Sequence, residues 1–176
     1  RNITRLGRKY CYNNIQFHHS IRTLIDFSSD VRTVPTESMR LAMYNAVVGD
    51  DQLDEDPTVN ELQDRFSSLL NKEASLFVAS GIMGNLISIL SHCDERQSEM
   101  IVGNLSHIHL SEGGNSAFLA GVHSKLLTNN QDGTLNISDI HNSIRWASSY
   151  DPHSPKTKLL CLENTHNRCG GYILKP

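Results

Sequence analysis

The chain has 176 residues, 38% of them hydrophobic and 20% charged, with a formal net charge of -3 and an isoelectric point near 6.3. That is the composition of one globular domain or part of one. It has no overall positive charge of the kind that draws a protein to nucleic acid or an anionic membrane surface, and no apolar run approaches the ~20 residues of a membrane span, so the default expectation is a small neutral or anionic ligand.

Residues 1–25 hold Arg1, Arg5, Arg8, Lys9 and Arg22 and no Asp or Glu, which leaves 11 Lys+Arg against 19 Asp+Glu in the rest. Such a basic leader reads as the end of a mitochondrial transit peptide or as a disordered tail. Ile25-Asp26-Phe27 predicts a short extended piece, and Pro35-Thr36 opens a first helix through Met39, Ala42, Met43 and Ala46 that Gly49 stops. An acidic loop runs from Asp50 to Asp56. Asp56-Pro57 is a good helix start, and Val59, Leu62, Phe66, Leu69 and Leu70 recur at helical spacing, predicting an amphipathic helix over 57–71. The pattern then alternates: apolar runs at 75–79, 99–103, 122–127 and 158–162 are separated by helical stretches at 81–93, 114–120 and 138–147. Short β-rich runs separated by helices imply βαβ units and a largely parallel or mixed sheet. Residues 129–133 read as a surface turn and 148–155 as a polar loop. The last residues, Ile173-Leu174-Lys175-Pro176, begin a new apolar run, from which a missing C-terminal portion is expected. Cys11, Cys93, Cys161 and Cys169 show neither metal-ligand spacing nor a disulfide framework and read as reduced intracellular thiols.

Three stretches carry candidate chemistry. Ala79-Ser80-Gly81-Ile82-Met83-Gly84-Asn85 follows an apolar run and opens a helix, where backbone N–H groups and the helix dipole can meet an anion; the plainer reading is a tight turn with close helix packing. His107 and His109, His153 and His166 stand just beyond strands or in loops, and in open α/β sheets ligands bind at the carboxyl ends of strands. The polar cluster Leu162-Glu163-Asn164-Thr165-His166-Asn167-Arg168-Cys169-Gly170-Gly171 follows a buried strand; its plainer reading is a glycine-rich turn.

An ordered series resembles the threonine aldolase family from about Asp26 to the last residue: Gly49-Asp50-Asp51, Glu55-Asp56-Pro57-Thr58-Val59-Asn60, Lys72-Glu73-Ala74, Phe77-Val78, Ser80-Gly81, Gly113-Gly114, Ala120-Gly121-Val122, Asp132-Gly133-Thr134-Leu135 and Leu162-Glu163-Asn164-Thr165-His166-Asn167. The resemblance implies an α/β fold: the N-terminal part of the large domain of a fold type I pyridoxal-phosphate enzyme, with a mixed, mostly parallel sheet flanked by helices. It implies pyridoxal phosphate as cofactor and an amino acid as substrate, with neither nucleic acid nor membrane as partner. A homodimer or homotetramer is expected at full length, in the cytoplasm or the mitochondrion. Ser80, Gly81 and Ile82 are then expected to grip the cofactor phosphate and His107 to stack on the pyridine ring. Glu163 to Asn167, Thr165 and His166 among them, would line the cofactor pocket from the strand end, Ser29 would help hold the substrate carboxylate, and His153 would lie near the substrate side chain.

The implied reaction is retro-aldol cleavage of threonine or allo-threonine to glycine and acetaldehyde, with His107 or His153 as candidate base for the β-hydroxyl proton. No metal is expected. The family's Schiff-base lysine falls beyond Pro176, so residues 26–176 are expected to be a partial large domain, inactive by itself. Ser28, Val31, Leu53, Asp54, Ile82 and Leu110 depart from the family pattern, Ile82 standing where a threonine hydroxyl usually meets the phosphate. The alternatives are a non-catalytic relative acting through dimerisation or binding, and a lyase of the same fold acting on another β-substituted amino acid.

Overall fold

A computed structural model of the chain describes residues 32–146 and 152–175. The basic leader, the extended piece at 25–27 and Ser29 lie outside the described residues. The chain divides into two compact units, Arg1–Glu61 and Leu62–Pro176.

In the first unit, helix α1 (Glu37–Asn45) starts where Thr36 predicts: the Thr36 hydroxyl accepts the Met39 N–H at 3.3 Å, satisfying a first-turn donor. It ends earlier than expected, because Ala46 is already extended. Gly49 serves a close approach instead, since a β-carbon there would overlap the Glu55 carbonyl. Asp56 caps helix α2 (Pro57–Leu70) by accepting the Thr58 and Val59 N–H groups, each at 2.9 Å, and its other oxygen takes the Gly49 N–H at 2.9 Å. These backbone donors, the Gly49 bond foremost, hold the Asp56 carboxyl below its ordinary range.

The second unit is an α/β layer. Strands β1 (Ser98–Gly103), β2 (His123–Leu127) and β3 (Lys156–Cys161) form a parallel sheet in the order β2-β1-β3. All six residues of the central strand β1 are buried. By strand alternation Met100 and Val102 share one face. There they pack with Val122, with Ile89 of helix α3 (Gly81–His92) and with Cys93, the residue that ends it, flanked by Ile108, Ala120, Leu159 and Cys161. Fully burying side chains of this size contributes about 1.5–3 kcal/mol each. Short helices α4 (His107–Leu110) and α5 (Asn115–Phe118) follow β1, and α6 (Ile137–Ser143) follows β2. No helix among the described residues is long and apolar enough to cross a membrane.

Two predicted elements come out differently. The apolar run at 75–79 is no strand: the Ser75 hydroxyl donates to the Gln63 carbonyl (2.6 Å) and the Phe77 N–H donates to the Gln63 side chain (2.8 Å), so local partners from α2 take the place of a ladder. The helix expected over 114–120 is the four-residue α5, entered through Gly114 in the left-handed conformation. The amphipathic stripe of α2 forms at its predicted spacing, yet no α2 residue is buried among the described residues.

Charge and amide groups pin the two ends of β1. At its start Glu99 is fully buried and binds His123 Nδ1 at 2.8 Å, Arg145 Nη1 at 3.3 Å and the Thr157 hydroxyl at 3.0 Å, so one carboxylate joins all three strands. At its end, the Asn129 side chain accepts the Leu105 N–H (2.9 Å) and donates to the Gly133 carbonyl (3.1 Å), while Asn104 accepts the Asn129 N–H (2.9 Å). A β-carbon on Gly103 would overlap that Asn129 amide. Gly103→Ala is therefore expected to lower the unfolding free energy by about 1–3 kcal/mol. In an Asn129→Ala background the same change should cost less, because the obstacle is gone; equal costs in a denaturant double-mutant cycle would disprove this clasp.

Candidate active site

The C-terminal ends of β1 and β3 and one side chain of α3 enclose a cavity of about 220 Å³. Its lining comes from three segments: Asn85 of α3, then Ser106, His107 and Ile108 after β1, then Cys161 to Asn164 at and beyond the end of β3. This is where an open parallel sheet offers a ligand site, since the loops leaving adjacent strands diverge there.

Two carboxylates hold the cavity together. Glu163 accepts the His107 backbone N–H at 2.6 Å with one oxygen and the Asn167 N–H at 2.9 Å with the other, so it fixes the loop after β1 against the loop after β3. Glu112, 4% exposed, receives His107 Nδ1 at 2.8 Å and Asn85 Nδ2 at 2.7 Å on a single oxygen. The bonds are short because the acceptor is charged when ionised.

The predicted site residues divide accordingly. His107 opens α4, lines the cavity and keeps about half of its side chain exposed (46%). Ser80, Gly81 and Ile82 stand at the N-terminus of the same helix that supplies Asn85. The Ser80 hydroxyl caps α3 by accepting the Met83 N–H at 3.1 Å, and the Ser80 carbonyl accepts the Gly84 N–H at 3.1 Å; the Gly81 and Ile82 N–H groups have no intrahelical acceptor. Gly81 is neither at positive φ nor near any neighbour: a β-carbon there would meet nothing within 4 Å. The tight-turn reading of this glycine therefore has no support, and among the described residues the space beside the Gly81 α-carbon is open.

Thr165 is exposed and follows Asn164, the last lining residue. His166 is fully buried against Gly133, whose added β-carbon would stand 2.7 Å from that of His166, and it is not among the cavity-lining residues. Neither of its ring nitrogens has a hydrogen-bond partner among the described residues, and Nδ1 lies 4.0 Å from Glu163. His153 is exposed in the turn that precedes β3, so it stands at the strand end opposite the cavity. Ser29 lies outside the described residues. Among the described residues no group of His, Cys, Asp and Glu is arranged to hold a metal ion.

Sequence reasoning did not single out Ser106 or Glu112, gave Asn85 no role of its own within the 79–85 stretch, and read Asn129 as part of a surface turn. The one local signal for Glu112 is an acidic residue in the small, polar stretch five residues after His107.

Residues 26–176 match the family model of the beta-eliminating lyases. The chain is 47% identical over 154 residues to low-specificity L-threonine aldolase 1 of Arabidopsis thaliana, covering 85% of this chain and 42% of that protein. It is 44% identical over 144 residues to the low specificity L-threonine aldolase of Escherichia coli strain K12, covering 82% and 42%. It thus spans less than half the length of these relatives. A solved structure from Listeria monocytogenes, assigned as an L-allo-threonine aldolase, resembles the chain with a TM-score of 0.52 at 21% identity, over 66% of this chain and 30% of that one. At that identity the likeness concerns the fold.

Cys161 bears on what the cavity wall can do. Burial pushes its thiol up to about 11, with nearby Cys93 adding to the shift, and burial also raises Cys93. A raised thiol stays protonated below that range, and the thiolate is the nucleophile, so Cys161 is an inert wall at neutral pH. Alkylation of Cys161 in the folded chain should be slow at pH 8 and rise only as pH approaches 11. Neutral-pH labelling as fast as in the denatured chain, followed by mass spectrometry, would contradict this.

Proposed function

The chain belongs to the beta-eliminating lyase family, and from that membership we propose that it holds pyridoxal phosphate at this cavity for the cleavage of threonine or allo-threonine to glycine and acetaldehyde. The observation that carries the reading is the convergence of three things on one sheet end: a helix N-terminus open to an anion, a half-exposed imidazole, and a cavity held by two carboxylates.

The residues present fit the cofactor. A phosphate group suits the open space over Gly81, where the Gly81 and Ile82 N–H groups and the dipole of the 12-residue α3 favour negative charge. His107 offers an aromatic face to a heteroaromatic ring. Glu163 keeps His107 in register with the β3 loop through the backbone, and Ser106 and Asn164 add polar groups to the lining. Pyridoxal phosphate, when bound, supplies an electron sink for the pair released as a bond to the substrate α-carbon breaks. The chain's own part in the step is an imidazole able to take the β-hydroxyl proton at neutral pH, directly or through water. His107 meets that requirement from the cavity wall. Proximity of His153 to the substrate side chain is the expectation this cavity supports least. Buried His166 would act on the pocket through packing, with Thr165 nearer to a ligand. Ser29 is kept as the proposed substrate-carboxylate contact, and a homodimer or homotetramer in the cytoplasm or mitochondrion as the proposed setting.

Cofactor titration of the full-length gene product, followed by absorbance, tests the phosphate placement. A hydrogen bond to a charged group is worth roughly 1.5–3 kcal/mol, so Ile82→Thr should tighten binding by about ten- to a hundredfold. Gly81→Val should abolish binding while leaving the fold intact, because a β-carbon at this position meets no atom of the described residues within 4 Å and the added bulk stands at the helix end. Equal affinity of wild type and Gly81→Val would move the phosphate elsewhere. Acetaldehyde release from threonine and allo-threonine tests the substrate; cofactor binding without release from either would point to another β-substituted amino acid.

A further inference from the structure

Glu112 is a buried carboxylate in contact with the cavity lining, and among the described residues no lysine or arginine pairs with it. Both of its side-chain bonds end on Oε1, one from the Asn85 amide and one to His107 Nδ1. An ionised carboxylate has only lone pairs to offer. The imidazole nitrogen 2.8 Å away must therefore carry the proton, and in a neutral ring the lone pair then belongs to the other nitrogen. The partners are 27 and 5 residues from Glu112 in sequence, and both line the cavity.

We propose that Glu112 is a positioning residue that holds His107 in the Nδ1–H tautomer, so that Nε2 is the nitrogen that accepts a proton in the reaction. The same oxygen sets the Asn85 amide, and thereby ties helix α3, with Ser80-Gly81-Ile82 at its N-terminus, to the His107 segment. Glu112 gives and takes no proton itself. It decides which of the two ring nitrogens can, as a carboxylate partner does for other functional histidines. The consequence for catalysis rests on the reaction proposed above; the tautomer does not, since it exists with neither cofactor nor substrate bound.

The full-length gene product, cofactor-free and labelled with 15N in its histidine rings, is measured by NMR at alkaline pH where the ring is neutral, the His107 signals being assigned with His107→Gln. Wild type should show a protonated Nδ1 and an unprotonated Nε2. Glu112→Gln, whose amide oxygen still accepts, should keep that pattern. Glu112→Ala should lose it, moving toward the Nε2–H form. An Nε2–H ring in wild type overturns the assignment even if Glu112→Ala fails to fold, and so does an unchanged Nδ1–H pattern in a folded Glu112→Ala. In the loaded enzyme Glu112→Ala should lower kcat by about ten- to a hundredfold, and Glu112→Gln should restore much of the loss. A protein with the expected tautomers that cleaves no β-hydroxy amino acid upholds the role of Glu112 and overturns the reaction. One that cleaves the substrate with His107 in the Nε2–H form overturns the role of Glu112 alone.

Discussion

The second unit depends on one constraint, the complete burial of strand β1. A strand with parallel neighbours on both edges and no exposed residue cannot satisfy a polar side chain with water. Glu99 must therefore find its partners within the fold. It finds them on both neighbouring strands and on Arg145 after α6, at positions that are direct partners in the ladder, His123 and Thr157. A one-residue slip of either neighbour would carry these groups to the opposite face and strand a charge in the interior. The carboxylate thus sets register as well as contributing an ion pair.

The same burial shapes the opposite end. The chain leaves β1 through Gly103, where only a missing side chain leaves room for the Asn129 amide, and the Asn104–Asn129 exchange turns it toward Ser106 and His107. The polar groups needed for a ligand site sit just past the point where the strand stops excluding water. Glu163 then binds backbone donors and Glu112 binds side-chain donors. The division matters for chemistry: the first sets where the His107 segment lies, and the second sets how its ring is protonated. The two carboxylates are held by N–H donors, not by lysine or arginine, which leaves the cavity free of a fixed cation among its lining residues.

Elsewhere apolar surface goes unused among the described residues. Helices α1 and α2 bury none of their residues, and Phe66, Leu69, Phe118 and Trp146 are all more than half exposed. The stripe on α2 is present at full helical periodicity, and none of its residues is buried among the described residues. Amphipathicity is a property of spacing; burial needs a second surface.

That difference runs through the whole molecule. The sequence by itself determined the features governed by neighbours within about four residues. The helix starts at Thr36, Asp56 and Ser80 follow from a side-chain oxygen meeting a first-turn N–H, and the three strands from the apolar β-rich runs at 99–103, 122–127 and 158–162, to within two residues at each end. The ordered motifs also led to the family, and His107 to a residue that lines the cavity. Only the tertiary structure decided that the run at 75–79 takes no strand partner, that His166 is buried away from the cavity lining and that His153 stands at the other end of β3. It also decided that Asn85 and Glu112 hold the site, and that Glu163, expected in the pocket lining, binds the His107 backbone. The reason is distance along the chain: Asn85 meets Glu112 across 27 residues and His107 meets Glu163 across 56, contacts set by the strand order β2-β1-β3, which no local pattern of residues encodes.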